Sequence, residues 1–165
     1  VLLDHARVPP YLASFLGGTP LEASFMSAIR AFRDTGARKK GVMLMAATTW
    51  FDGPAAFKGL AMGADMIGMS EGILHLIGCT GCDRCPVGVP EGMSTLGGGR
   101  DELQTRLKGF FTAVLDRVSA LCALSGHKDI TGLSPMDLFA VDDRWASMTG
   151  LPLLGFERRL PMWEH

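Results

Sequence analysis

The chain lacks any excess of positive charge. Its 16 Lys and Arg stand against 17 Asp and Glu, a formal net charge of -1. They are spread thinly and form no basic stripe, so the electrostatic footprint of a nucleic-acid partner is missing. No apolar run reaches the roughly 18 residues that a membrane span requires. The first residues do not read as a signal peptide. Tyrosine occurs once and cysteine only four times. With three of those cysteines at a metal-like spacing, a reducing compartment is expected, and so a cytoplasmic location. At 165 residues there is room for one domain with a real core, and too little for most two-domain enzymes. Glycine and methionine are plentiful, at 21 and 10. The chain starts on Val1, which suggests processing or an excerpt from something longer.

What is present is dominated by one short stretch, CTGCDRCPVGV, carrying Cys79, Cys82 and Cys85 and closed by Pro86. Glycines at 78, 81 and 88 relax the loop, and the two-residue gaps let three sulfurs turn onto one metal centre, as in ferredoxin-type runs. Buried thiols that merely pack seldom cluster in a Gly/Pro loop. A disulfide across so short a gap would stabilise little.

Ahead of that run, strand and helix patterns alternate. Val1 to Asp4 (VLLD) reads as a buried strand, followed by a Pro- and Gly-punctuated loop from His5 to Pro20. Leu21 to Arg33 has helical spacing at Leu21, Phe25, Ile29 and Phe32, and Gly36 ends it. Val42 to Ala47 is a second strand; Gly53 and Pro54 open a helix that Gly63 stops; Ala64 to Met69 is a third strand. An apolar helix from Gly72 to Ile77 then delivers the cysteines. Apolar strands alternating with helices predict an α/β fold on a parallel sheet, either a (β/α)-barrel segment or an open doubly wound sheet. Met43, Met45, Met62, Met66 and Met69 are expected as gap-filling core.

Beyond the cysteines the composition changes. Glu91 to Gly99 is a Gly/Ser/Thr loop, and a long helix starts at Asp101 and Glu102. One broad apolar stripe is expected over Leu103, Leu107, Phe110, Phe111, Val114, Leu115, Val118, Leu121 and Cys122, with Gly126 as cap. Cys122 reads as a core thiol on that stripe. Ser134 and Pro135 start a short helix through Leu138, and the tail ending RRLPMWEH shows no periodicity. Asp4 and His5 at a strand end are acid–base candidates or caps. Asp65 is expected to hold its turn through backbone hydrogen bonds. No catalytic residue stands out.

Three stretches, GTPLEASFMSAIRAF, KGLAMGADMIGMSEGIL and IGCTGCDRCPVGV, resemble the carboxyl-terminal part of the FMN-binding synthase domain (ferredoxin or archaeal type) of glutamate synthase. The segment GHKDITGLSPMDL is similar to that family beyond its cluster, and GCTGCDRCPVGV is the most specific match. The resemblance implies a TIM barrel whose sixth, seventh and eighth strands would be Val1 to Asp4, Val42 to Ala47 and Ala64 to Met69. It divides the chain into a partial barrel (1–78), an iron–sulfur loop (79–99) and a helical extension (100–165). Three strands cannot close an eight-stranded barrel, so a longer chain or a partner subunit is expected to supply the rest.

The resemblance further implies an oxidoreductase in which electrons pass between the cluster at Cys79, Cys82 and Cys85 and FMN, for reductive formation of glutamate from 2-oxoglutarate. The family's cysteines are more widely spaced and hold a three-iron cluster. The contracted spacing here suits a 3Fe–4S cluster, or a 4Fe–4S cluster with a distant fourth ligand. Zinc would need one ligand more, from Cys122, His75 or His127. FMN would stand against Thr48, Thr49, Ser70 and Glu71, yet the family shows a Gly pair at the first two positions and Gly at the third. Each added Cβ hinders the approach of backbone N–H groups to phosphate, so this chain alone is expected to take FMN weakly or not at all. The alternative is a flavin-less metal-binding module serving structure or assembly.

Overall fold

The structure, a computed structural model, describes residues 2–4, 21–47, 52–69, 72–73, 76 and 99–155. Three strands of three residues each, β1 (Leu2–Asp4), β2 (Met45–Ala47) and β3 (Met66–Gly68), form a parallel sheet in chain order. Helix α1 (Leu21–Asp34) connects β1 to β2, and α2 (Gly53–Met62) connects β2 to β3. The α/β alternation expected from the sequence is therefore present. Ala46 pairs with Ile67 across the ladder, and Ala46 is fully buried in a cluster with Phe25 and Met26 of α1 and Met62 of α2. Both helices thus cover one face of the sheet.

The ends of α2 are set by local chemistry. Asp52 caps its start by accepting from the Ala55 N–H at 2.7 Å, and Pro54 sits in the first turn. Gly63 ends it at φ 117, a left-handed value that strains residues with a Cβ.

Two expectations about the strands need correction. The second strand begins at Met45 rather than Val42, and the third runs from Met66 to Gly68 rather than over Ala64 to Met69. The reason is Leu44: its carbonyl is shared between the Asp65 and Met66 N–H groups, so it ties the turn to the first residue of β3 and the regular ladder starts at Met45. The methionines divide as well. Met62 is core at 1% exposure, whereas Met43 and Met66 are 53% and 42% exposed. Apolar composition on both faces therefore does not translate into burial on both faces among the described residues.

Helix α3 (Gly99–Leu124) lies along α2, with Val114, Val118 and Cys122 buried against Ala56, Phe57 and Ala61. The stripe is narrower than expected. Leu115 and Phe111 face solvent at 64% and 42% exposure, because the α2 seam buries the 114–118–122 row and half-covers only Phe110 and Leu121 beside it. At the crossing a Cβ built on Gly53 would come within 2.3 Å of Arg117 Cβ, so the two backbones approach closely there.

The region after α3 is built from caps. The expected helix from Ser134 to Leu138 is a single 3-10 turn, Pro135–Asp137, closed by a capping box between Ser134 and Asp137. Ala140 then bridges to Leu153, and α4 (Asp143–Thr149) packs against α1. Arg30 of α1 donates to the Thr149 carbonyl at 2.6 Å. Among the described residues no helix is long and apolar enough to cross a membrane.

Candidate functional site

In a parallel sheet the chemistry gathers at the carboxyl ends of the strands, where connecting loops meet helix N-termini. Here those ends are level: Asp4 stands opposite Ala47, and Ala47 opposite Gly68. Thr48 and Thr49 directly follow β2, and Ser70 and Glu71 follow β3 after Met69. Their conformations, and those of Cys79, Cys82, Cys85, His5 and His75, lie outside the described residues.

The helix end nearest Thr48 and Thr49 is described, and it is a poor phosphate seat. An anion at a helix N-terminus needs free N–H groups and benefits from the positive end of the dipole. Pro54 has no N–H, and the Ala55 N–H is already taken by Asp52. Asp52 also places a carboxylate where the anion would rest. With at most the Gly53 N–H to spare, the entrance of α2 does not fit the FMN phosphate.

Asp65 plays the turn-holding part expected of it. Its Oδ2 accepts from the Leu44 N–H at 2.8 Å, and its Oδ1 accepts from Arg38 at 2.9 Å. Cys122 is a free, buried thiol, as its position on the stripe implied. Burial pushes this thiol up, and the negative charges of Asp129 and Asp137 push it further. A thiol held protonated in an apolar seam is a poor metal ligand. His127 is engaged as well: its Nε2 lies 2.8 Å from Asp137 Oδ1. Among the described residues no group of three or more His, Cys, Asp or Glu could hold a metal ion.

Besides Arg38–Asp65, two side-chain pairs were not anticipated from the sequence. Lys58 donates to Glu22 at 2.7 Å across 36 residues, which no local spacing announces. The His127–Asp137 pair had a signal, since Ser134 with Asp137 three residues on is a capping-box pattern that fixes where Asp137 points.

A family model described as a conserved region in glutamate synthase matches residues 11–128, more than half of the chain. The matched stretch runs through α1, β2, α2, β3 and the cysteine run and takes in the whole of α3. No curated protein and no solved structure matches the chain.

Proposed function

Because the chain belongs to the glutamate synthase family, we propose that it forms the iron–sulfur portion of a glutamate-synthase-type oxidoreductase. The observation that carries this is the extent of the family match, which joins the strand–helix units and the run GCTGCDRCPVGV in one conserved region. Cys79, Cys82 and Cys85 serve as thiolate ligands of the cluster, and backbone N–H groups of the same glycine-relaxed loop set its potential. When bound, such a cluster supplies one-electron transfer toward a flavin-dependent reduction that forms glutamate from 2-oxoglutarate and an amino donor. The three described strands are the last three of a (β/α)8 barrel, and a longer chain or partner subunit supplies the others in the cytoplasm.

A second reading has a specific observation behind it. The entrance of α2, with the Asp52 carboxylate on the Ala55 N–H and Pro54 without one, is poor in the donors a flavin phosphate would use. That favours a flavin-less, metal-binding module of a larger complex. One experiment separates the two: absorption of anaerobically prepared protein, with iron, sulfide and flavin analysis. Iron and sulfide in proportion to protein support the redox reading, with little flavin expected on the isolated chain. Stoichiometric zinc without sulfide would establish the structural module instead.

A further inference from the structure

A cavity of about 150 Å³ opens between α1, α2 and the segment that carries α4. Apolar side chains dominate its wall, chiefly Met62, Trp145, Leu151 and the exposed Phe139 and Val141. Met62 and Thr149, at 1% and 2% exposure, belong to its buried side. The Thr149 hydroxyl donates to the Trp145 carbonyl and accepts from the Leu151 N–H, so its own polar demand is met. Its volume matches a body about as large as benzene, and it is open to solvent on one side. It is smaller than the several hundred Å³ that drug-sized ligands need.

The same wall carries one pair of opposite charges, Glu22 on α1 and Lys58 on α2, with Lys58 Nζ 2.7 Å from Glu22 Oε1. Their side chains are 25% and 40% exposed, so the pair sits toward solvent, on the open side of the apolar wall. Burial works against the Glu22 carboxylate, but the Lys58 hydrogen bond, its own backbone N–H and the Lys58 charge outweigh it, and its carboxyl lies below the usual range. A ligand bearing only one charge would open the pair and leave the other member unpaired, which is costly in a half-buried place. A ligand carrying ammonium and carboxylate on a single carbon satisfies both.

We infer that this cavity binds a free apolar α-amino acid of leucine to phenylalanine size. Its side chain rests against Met62, Trp145 and Leu151, its ammonium meets Glu22, and its carboxylate meets Lys58. The ligand would bridge α1, α2 and α4, so its binding stabilises the folded chain by mass action. Glu22, Lys58, Met62, Trp145 and Leu151 suffice for this binding, so the site stands even if the redox reading fails.

The test is calorimetric titration of the full chain with L-leucine and L-phenylalanine, paired with thermal unfolding. The comparison compounds are glycine, 4-methylpentanoate and 3-methylbutylamine, each lacking the apolar body or one charge. Saturable binding of L-leucine or L-phenylalanine is expected, with each comparison compound weaker by about tenfold or more. The double variant Glu22→Gln with Lys58→Met should lose binding by a similar factor. If that variant does not melt cooperatively, Val141→Asp serves instead, because Val141 is 75% exposed and its replacement should not disturb folding. Equal binding of all the compounds would reduce the feature to an apolar crevice and overturn the inference. So would an absence of heat and of any thermal shift with both amino acids at millimolar concentration.

Discussion

Leu44 and Asp65 hold each other twice. The Leu44 N–H donates to Asp65 Oδ2, and the Asp65 N–H donates back to the Leu44 carbonyl, both at 2.8 Å. The pair fixes the entry to β2 against the entry to β3, and Arg38 steadies the carboxylate from outside. Because Leu44 is only 1% exposed, no water can replace the lost acceptor. Asp65→Ala is expected to destabilise the chain by about 1–3 kcal/mol, the cost of an unsatisfied buried donor. Arg38→Ala should cost under about 1 kcal/mol, since its side chain is 55% exposed. Urea unfolding checks both, with the midpoint moving and the slope unchanged. An Asp65→Ala protein as stable as the parent would show that Leu44 finds another partner.

Gly53 allows α2 and α3 to cross. An added Cβ would lie 2.3 Å from Arg117 Cβ and 3.2 Å from the Val114 carbonyl, and neither atom is the far end of a flexible side chain. Elsewhere near a helix start, Gly→Ala stabilises by restricting the unfolded chain. Here overpacking dominates, so Gly53→Ala is expected to destabilise by about 1–3 kcal/mol. Gly109→Ala is the control, because nothing lies within 4 Å of a Cβ there. Should the two variants melt alike, the close crossing is absent in solution.

Asp137 makes stability depend on acid. Its Oδ1 lies 2.8 Å from His127 Nε2, and its Oδ2 accepts from the Ser134 N–H at 2.8 Å. Burial opposes the carboxylate, but the His127 bond, the Ser134 amide and the His127 charge hold its carboxyl below the usual range. A group whose folded value is depressed contributes fully above its unfolded value, about 3.9 for Asp, and loses that contribution as pH falls through the folded value. The melting temperature should therefore fall as pH is lowered below about 4. In His127→Ala the plateau at neutral pH should be lower and the acid fall shallower. A parent and variant with parallel pH profiles would mean that the pair does not form.

The elements readable from sequence are those whose causes are local. Asp52, Pro54 and Gly63 mark both ends of α2 within its own residues, and Val114, Val118 and Cys122 mark the buried face of α3 by their spacing. Strand ends were overextended because apolar residues such as Val42 and Met43 look alike inside and outside a three-residue ladder. The position of α4 could not be read at all. Its tie to α1 runs from Arg30 to the Thr149 carbonyl, 119 residues apart, and such a contact leaves no period in the chain. The cysteine run is legible for another reason: thiols at fixed short gaps meet a ligand geometry, whatever fold surrounds them.

That difference separates the four cysteines by experiment. A metal ligand must give up its proton, and Cys122 is placed where doing so is hard, buried at 2% exposure in the α2–α3 seam with Asp129 and Asp137 raising its pKa further. Cys82 is the middle thiol of the run 79–85, and the ligation proposed there needs all three. Cys82→Ser is therefore expected to remove most of the iron and sulfide from anaerobically purified protein. Cys122→Ser should keep both, and should instead lower stability by about 1–3 kcal/mol, because it puts a polar hydroxyl in place of a thiol packed in that apolar seam. The two variants thus fail in different measurements, metal content for one and melting for the other. Loss of iron from Cys122→Ser with its melting curve unchanged would make Cys122 a fourth ligand, and would require α3 to approach the cluster.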